Sequence, residues 1–452
     1  MSRDRVFLDV LGCRLNRSET ERMAGQFAAV GWELVGSPDR ADWVVINTCA
    51  VTAIAERKSR HAVHRAHRAN PAARIAVTGC YAELAPETLA RLPGVVQVVG
   101  NAEKERLAER ITGQAIPAHL PGVPLGTRAF VKVQDGCDNH CAYCITARLR
   151  GPSRSRPLGD ILGEVGALAR RGVKEIVLTG VHLGAYGRDL ESPVSLRDLL
   201  AALLGETVLP RLRLSSLEPW DITPDLFALW RDSRLCPHLH LPLQSGCAAT
   251  LRRMARRTTP ESFARLVEAA RAHIPDLAVT TDIIVGFPGE TGDEFEESRR
   301  FIEAMGFARL HVFRYSPRPG TPAAQMPHQV SKSIQRERAD RLLALDRAHR
   351  RDYARRFVGR TMDVLWESGS SETTWSGLTG NYIRVTAAIP PGAKSLYNTI
   401  TPTRLTGAHG GELVGEVDGC TSCLEHYVPE PPPSLPLARG RWPKAGGGLP
   451  PT

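Results

Sequence analysis

Gln134-Asp-Gly-Cys-Asp-Asn-His-Cys-Ala-Tyr-Cys144 places three thiols, Cys137, Cys141 and Cys144, on one short loop in a CxxxCxxC spacing. A loop of that length can turn all three sulfurs inward onto one face of an iron–sulfur cluster. A 4Fe–4S cluster normally takes four thiolates, so three would leave one iron open to another molecule. Zinc also accepts thiolates, but its structural sites are usually built from CxxC pairs, and no second pair or histidine partner stands at that spacing here. Directly before this stretch, Phe130-Val-Lys-Val133 reads as a strand, so the loop leaves a strand's carboxyl end. Further strand candidates follow at intervals: Glu175-Ile-Val-Leu178, Leu212-Arg-Leu214, Leu239-His-Leu241, Ala278 to Val285 and Leu310-His-Val-Phe313. Amphipathic helices, such as Leu158 to Arg171 and Glu261 to Ala272, fill the gaps. Six β/α units in succession predict a partial (β/α)6 barrel over 125–355, with its chemistry at the carboxyl ends of the strands.

The other marked sequences fall at that same edge. They are Thr179-Gly-Val-His-Leu-Gly184, Ser215-Ser-Leu-Glu218, Pro242-Leu-Gln-Ser-Gly246 and Gly286-Phe-Pro-Gly-Glu290. Each puts small residues where a backbone can approach a ligand, together with one or two polar groups. Singly they are ordinary turns; around one rim with a cluster they outline a pocket for a nucleoside-sized cofactor.

Upstream, over 1–121, the pattern is strand, cysteine, helix, three times. Val6 to Leu11 ends at Gly12-Cys13, Trp43-Val-Val-Ile46 at Asn47-Thr-Cys49, and Arg74-Ile-Ala-Val77 at Thr78-Gly-Cys80. Alternating β/α chains make parallel sheets whose strand ends share one edge. Cys13, Cys49 and Cys80 are therefore expected to converge, as a second metal centre or as three core cysteines. A fourth strand candidate, Val95 to Val99, carries no cysteine. The proline-rich stretch from Ala115 to Pro124 reads as a linker.

After a basic helix, Thr361 to Trp366, Tyr382-Ile-Arg-Val385 and Leu413 to Val417 read as short strands between Gly/Ser/Pro turns, predicting a small β-barrel over 356–420. Cys420 and Cys423 form a CxxC that cannot complete a metal site alone; Cys236 and Cys247 read as structural. The tail, 429–452, is disordered on composition.

The totals agree with a soluble globular chain of two or three domains: 452 residues, 42% hydrophobic and 23% charged, with no apolar run of membrane-spanning length. No membrane partner is expected. Ten cysteines without a secretory signal predict a reducing, cytoplasmic compartment. The formal charge of +10 points to a polyanion, and the charge is clustered. Between Ser331 and Arg360 there are ten Lys/Arg against four Asp/Glu. Other groups lie at Arg57 to Arg68, at Arg148, Arg150, Arg154 and Arg156, and at Arg252, Arg253, Arg256 and Arg257. A solvated helix face explains any one of these; four together favour nucleic acid.

With Tyr143 before the last cysteine, the CxxxCxxC loop resembles the radical S-adenosylmethionine superfamily. Leu11-Gly-Cys13, Asn47-Thr-Cys49, Thr78-Gly-Cys80, Arg150 to Arg156, Leu239 to Gly246 and Asp282 to Glu290 narrow the resemblance to its methylthiotransferases, over about Arg5 to Val417. The resemblance implies that Cys137, Cys141 and Cys144 hold a 4Fe–4S cluster whose open iron chelates S-adenosylmethionine, the source of a 5′-deoxyadenosyl radical and of the methyl group. It implies a second 4Fe–4S cluster on Cys13, Cys49 and Cys80, from which methylthio is delivered. Tyr143 would lie near the adenine and the turn holding Thr179, Gly180 and Gly184 near the methionine end. Ser215, Glu218 and Gly286 would be further cofactor contacts. No general base is visible, and none is needed where a radical abstracts hydrogen.

The phrase Leu178-Thr-Gly-Val-His-Leu-Gly-Ala-Tyr-Gly187 resembles the branch acting on threonylcarbamoyladenosine in tRNA. The branches acting on isopentenyladenosine or on a ribosomal-protein aspartate carry different phrases there. The C-terminal module resembles the TRAM domain, which implies a grip on the tRNA anticodon stem-loop through Trp375, Tyr382 and Arg384. An external electron donor and a sulfur donor would complete the set of partners. A non-catalytic iron–sulfur RNA-binding or sensor protein is the reading from another class; it would have no use for a cofactor pocket.

Overall fold

The computed structural model describes residues 4–117, 120–371, 374–388 and 395–417, which divide between Leu120 and Pro121 into two compact units. In the first, β1 (Arg5–Val10), β2 (Glu33–Leu34), β3 (Trp43–Thr48), β4 (Arg74–Gly79) and β5 (Val95–Val99) form one sheet in the order β2-β1-β3-β4-β5. Every pairing is parallel. The central strands read as apolar runs because helices cover a parallel sheet on both faces; Val44, Val45, Ile46, Ile75, Ala76 and Val77 are fully buried. The helix Ala53–Ala69 starts where Thr52 accepts from the Ala55 amide. β2 is a two-residue addition at the sheet edge, too short to leave a periodic signal.

The second unit contains the expected six strands and two short ones. They are β6 (Arg128–Lys132), β7 (Gln134–Asp135), β8 (Arg154–Ser155), β9 (Glu175–Thr179), β10 (Arg211–Leu214), β11 (His238–His240), β12 (Ala278–Val285) and β13 (Arg309–Arg314). β7 and β8 pair with each other beside the cysteine loop. The rest form parallel ladders in the orders β10-β9-β6 and β11-β12-β13. Isolated parallel bridges, Leu212 with Leu235 and Ser216 with His240, join the two triplets into one open, partial barrel. Helices Leu158–Arg170, Leu196–Glu206, Pro260–His273 and Gly292–Met305 cover it, and three of them begin with reciprocal capping boxes, at Ser195, Thr259 and Thr291. The connection from β10 to β11 is made by 3-10 turns, chiefly Pro224–Arg231, in place of an α-helix.

Strand alternation sorts the side chains. Val131, Ile176, Leu178, Leu212, Leu214, Leu239, Leu241, Val279 and Ile283 join the helices in one apolar core. Lys132, Glu175, Arg211, Arg213, His240 and Asp282 occupy the opposite, inner face.

The same unit ends in a closed barrel of β14 (Thr361–Ser371), β15 (Thr374–Thr379), β16 (Arg384–Ala388), β17 (Ile400–His409) and β18 (Glu412–Val417), in the order β14-β15-β16-β18-β17, around fully buried Trp366. β15 and β17 go beyond the sequence reading. The strand expected from Tyr382 starts at Arg384, because Tyr382 adopts φ 71° in the turn before it.

This barrel is bolted to the amino-terminal ends of the parallel strands. Arg211 donates to the Leu378 and Asp363 carbonyls at 3.0 and 2.6 Å, and Arg213 to that of Gly380 at 2.8 Å. Buried Glu175 neutralises Arg213 at 2.7 Å, and Arg128 pairs with Glu367 at 2.9 Å. The proposed tail and Cys420 and Cys423 lie outside the described residues. Among the described residues, no helix is long and apolar enough to cross a membrane.

Candidate functional site

In the first unit, β1, β3 and β4 are adjacent and their ends carry Cys13, Cys49 and Cys80. Thr48 pairs with Gly79, so Cys49 and Cys80 leave their strands at the same depth. Buried polar side chains stitch these ends together. The Asn16 amide donates to the carbonyls of Leu11 and Thr48 at 2.8 and 2.9 Å, and that of Asn47 to the Asn16 carbonyl at 3.0 Å. Thr48 donates to the Thr78 carbonyl at 2.6 Å, and Thr78 to that of Val99 at 2.8 Å. The polar residues of the Asn-Thr-Cys and Thr-Gly-Cys phrases are thus lateral ties. Gly12, at φ 98°, lies so close to Cys49 that a Cβ would sit 2.8 Å from its sulfur. Cys49 and Cys80 are buried and Cys13 is exposed.

In the second unit each sulfur of the CxxxCxxC loop has its own donor. The Asn139 amide reaches Cys137 Sγ at 3.4 Å, the Thr146 amide reaches Cys144 Sγ at 3.4 Å, and an Arg256 guanidinium nitrogen lies 3.8 Å from Cys141 Sγ. Burial pushes the thiols of Cys141 and Cys144 up, while Arg256 and Thr146 respectively pull them back toward the thiolate. Hydrogen bonds to sulfur are what an iron–sulfur site requires of its surroundings. In neither cysteine triple do all three sulfurs lie within 4.8 Å of one another. A single tetrahedral zinc, at about 2.3 Å per bond, would hold them about 3.8 Å apart. Three thiols, each with a hydrogen-bond donor, are the donor set of a cluster, and their spacing does not suit one ion.

Arg256 organises this region. Its side chain is fully buried; it donates to Glu218 at 2.7 Å and to the Pro242 carbonyl at 2.5 Å, and lies 4.4 Å above the Trp220 ring. Glu218 therefore belongs to the cysteine loop's surroundings through Arg256. Tyr143 lies beside it, its hydroxyl pushed well above its ordinary range by burial. Beneath the loop, Ala142, Met254, Ile284, Phe287, Tyr315 and Ala323 form an apolar wall against which Tyr143 packs. Buried polar atoms in this region that lack a partner among the described residues include Ser215 Oγ, Trp220 Nε1, Arg256 Nε and Tyr315 Oη. Orphaned groups of this kind are what a polar ligand would satisfy.

The turn after β9 is held by Gln134, whose Oε1 accepts from the His182 amide at 2.8 Å. Gly180 is needed there, since a Cβ would come within 2.9 Å of that same oxygen. Thr179 ends β9 and is buried. His182 is fixed between Asn139 at 3.3 Å and Asp221 at 2.5 Å. Burial opposes its charge, but hydrogen bonds with Asp221 and Cys137 outweigh that and its pKa is pushed up to about 9. Gly184 makes room for Asp221, 2.5 Å from where a Cβ would stand, and Gly286, at φ 70°, makes room for Gln335 at 2.4 Å. These two glycines answer to neighbours in the chain.

Sequence reasoning missed Gln134, Trp220, Asp221 and the role of His182, because each acts through a partner far away in the chain. It also read Arg256 and Arg150 within basic patches for nucleic acid. Both are buried, Arg256 on Glu218 and Arg150 on Asp135 at 2.9 Å, so their charge is spent inside. In the barrel, Trp375 packs partly buried against the core. The Tyr382 ring lies 4.6 Å from the Arg213 guanidinium and 4.9 Å from the His238 ring, and its hydroxyl accepts from Arg128 at 3.1 Å. That ring is taken up in the junction, where a base has no access to the faces these groups cover. Arg384 is part-exposed, bonded to Ser376 at 2.8 Å and 3.5 Å from Glu367.

Comparison with known proteins matches residues 5–100 to an uncharacterized protein family, UPF0004, and residues 131–302 to the Radical SAM superfamily. The chain is 38% identical over 404 residues to the threonylcarbamoyladenosine tRNA methylthiotransferase MtaB of Bacillus subtilis, covering 84% of this chain and 89% of that protein. It is also 38% identical over 387 residues to the tRNA-2-methylthio-N(6)-dimethylallyladenosine synthase of Novosphingobium aromaticivorans, covering 81% and 87%. Among solved structures, the radical S-adenosylmethionine methyltransferase TsrM of Kitasatospora setae, with cobalamin and a [4Fe-4S] cluster bound, superposes with a TM-score of 0.53 at 16% identity, over 72% of this chain and 77% of that one. At that identity the likeness concerns the fold alone.

Proposed function

The chain belongs to the methylthiotransferases of the radical S-adenosylmethionine superfamily, and from that membership we propose that it transfers a methylthio group to carbon 2 of N6-threonylcarbamoyladenosine beside the tRNA anticodon. The observation that carries the chemistry is the loop of Cys137, Cys141 and Cys144 with one hydrogen-bond donor on each sulfur. A 4Fe–4S cluster and S-adenosylmethionine bound there supply one-electron cleavage of the sulfonium bond. Arg256 and the two amides offset the negative charge of three thiolates. The wall of Ala142, Met254, Ile284 and Phe287 keeps water from beneath the loop. Ser215, Glu218, Tyr143 and the turn of Thr179 and Gly180 are the groups from which S-adenosylmethionine takes its contacts.

Cys13, Cys49 and Cys80 hold the second 4Fe–4S cluster in this reading. Three adjacent strand ends tied by Asn16, Asn47, Thr48 and Thr78 support it, since buried ties of this sort fix thiols that no single loop could gather. Electrons and the inserted sulfur come from external donors. The choice of threonylcarbamoyladenosine rests on the Bacillus subtilis relative and on the phrase Leu178 to Gly187. A relative at the same 38% identity, over a slightly shorter stretch, is named for dimethylallyladenosine, so the test must separate the two. Mass spectrometry of tRNA nucleosides from cells lacking the protein is expected to show threonylcarbamoyladenosine without its 2-methylthio form. Loss of the methylthio group from dimethylallyladenosine instead would reassign the acceptor. An unchanged nucleoside profile, with no S-adenosylmethionine cleavage by the reduced protein, would leave a non-catalytic iron–sulfur protein.

A further inference from the structure

On the inner face of the partial barrel, His240 of β11, Asp282 of β12 and His311 of β13 stand side by side. The register pairs His240 with Thr280 and Asp282 with His311, so the three side chains leave the same face of three adjacent strands. One ligand atom from each lies within 4.8 Å of the other two, the only such trio of His, Cys, Asp or Glu among the described residues. His240 Nε2 and Asp282 Oδ1 are 3.3 Å apart. That is long for a charge-assisted hydrogen bond, which closes to about 2.7–2.9 Å. It matches the separation of about 3.4 Å between two ligands bonded to one tetrahedral ion at 2.0–2.1 Å. Behind His240, its other ring nitrogen meets the Thr280 hydroxyl at 2.9 Å, and that hydroxyl also lies 3.2 Å from His238 Nε2. A metal-binding imidazole is normally held in this way from its far side.

We propose that His240, Asp282 and His311 bind one divalent transition-metal ion of the zinc class. Two imidazoles and one carboxylate suit such an ion by ligand softness. Three protein ligands leave a coordination position open, the pattern of a reactive or substrate-binding ion. The inference does not depend on which acceptor the enzyme uses.

The test uses the full chain, loaded anaerobically with its iron, stripped of loose metal by chelation, and dialysed against zinc. Zinc and iron are then counted together. Wild type is expected to retain about one zinc more than Asp282→Asn and His311→Gln, with iron the same in all three. Counting the difference removes adventitious zinc on surface histidines such as His61 and His64 of the helix Ala53–Ala69. Thr280→Val, which takes away only the hydroxyl behind His240, is expected to weaken zinc binding about tenfold to a hundredfold. Equal zinc in wild type and in iron-replete ligand variants would overturn the proposal. If those variants lose iron as well, Thr280→Val decides: unchanged zinc affinity at full iron content overturns it.

Discussion

The two cysteine triples are assembled in opposite ways. Cys137, Cys141 and Cys144 come from one eight-residue span, and backbone amides at Asn139 within it and Thr146 just after it donate to two of its sulfurs. Cys13, Cys49 and Cys80 come from three strands, and what brings them level is the sheet and the buried ties of Asn16, Asn47, Thr48 and Thr78. A local site survives most distant damage to the fold. A site gathered from three strands is only as sound as the sheet that gathers it. The contrast also separates two kinds of motif, since the cysteines around position 141 are spaced for chemistry, whereas Asn47-Thr48 and Thr78-Gly79 are spaced for architecture.

The sharpest break should come from removing one sulfur on each side. Cys141→Ala is expected to reduce S-adenosylmethionine cleavage to background, whereas Cys49→Ala should leave cleavage intact and stop methylthio transfer. Full product yield from Cys49→Ala would return the N-terminal cysteines to the core.

A second pair of changes probes the frameworks. In the second unit, Glu175→Gln leaves Arg213 buried without its countercharge, a change that typically costs about 3–5 kcal/mol; urea unfolding would read it. Burial would raise the Glu175 carboxyl, but Arg213, Arg128 and Arg211 together hold it below its ordinary range. Its stabilisation is therefore complete above about pH 4.3 and is lost as the pH falls further, and the variant should flatten that acid limb. In the first unit, Asn47→Ala removes ties to Asn16 and Thr20, at a cost of about 1–3 kcal/mol for the groups left unpaired. Iron counting should then show loss from the N-terminal triple alone, with cofactor cleavage by the loop unaffected.

The smallest effect is expected outside both triples. Arg384→Ala should weaken tRNA binding modestly and lower the salt slope of binding by about one unit, with iron content unchanged. A change in iron or in cofactor cleavage would show that Arg384 supports the fold and not the RNA.

Much of this architecture was legible because parallel strands announce themselves: apolar runs ended by small or polar residues placed nearly every strand of both sheets. The cysteines were legible for a related reason, as they stand at strand ends. The closed barrel was less so, since β15 and β17 mix threonine, glycine and proline with few large apolar residues. Arg256 could not be read correctly from its neighbours Arg252, Arg253 and Arg257. What distinguishes it is Glu218, 38 residues away, and no local pattern carries that. Tyr382 misled in the same way, because Arg128, Arg213 and His238 lie more than 140 positions earlier.

The junction around Tyr382 carries a consequence for how an acceptor would be chosen. Arginines 128, 211 and 213 fasten the closed barrel to the floor of the parallel sheet through carbonyls and a buried carboxylate. A module fastened in this way is not an arm on a tether. Any strand it grips is held at a set offset from the rim where the cysteine loop sits, as in a workshop jig. With the function proposed above, such a chain would select by measuring: a base of the right chemistry one nucleotide out of place would be presented to the wrong spot.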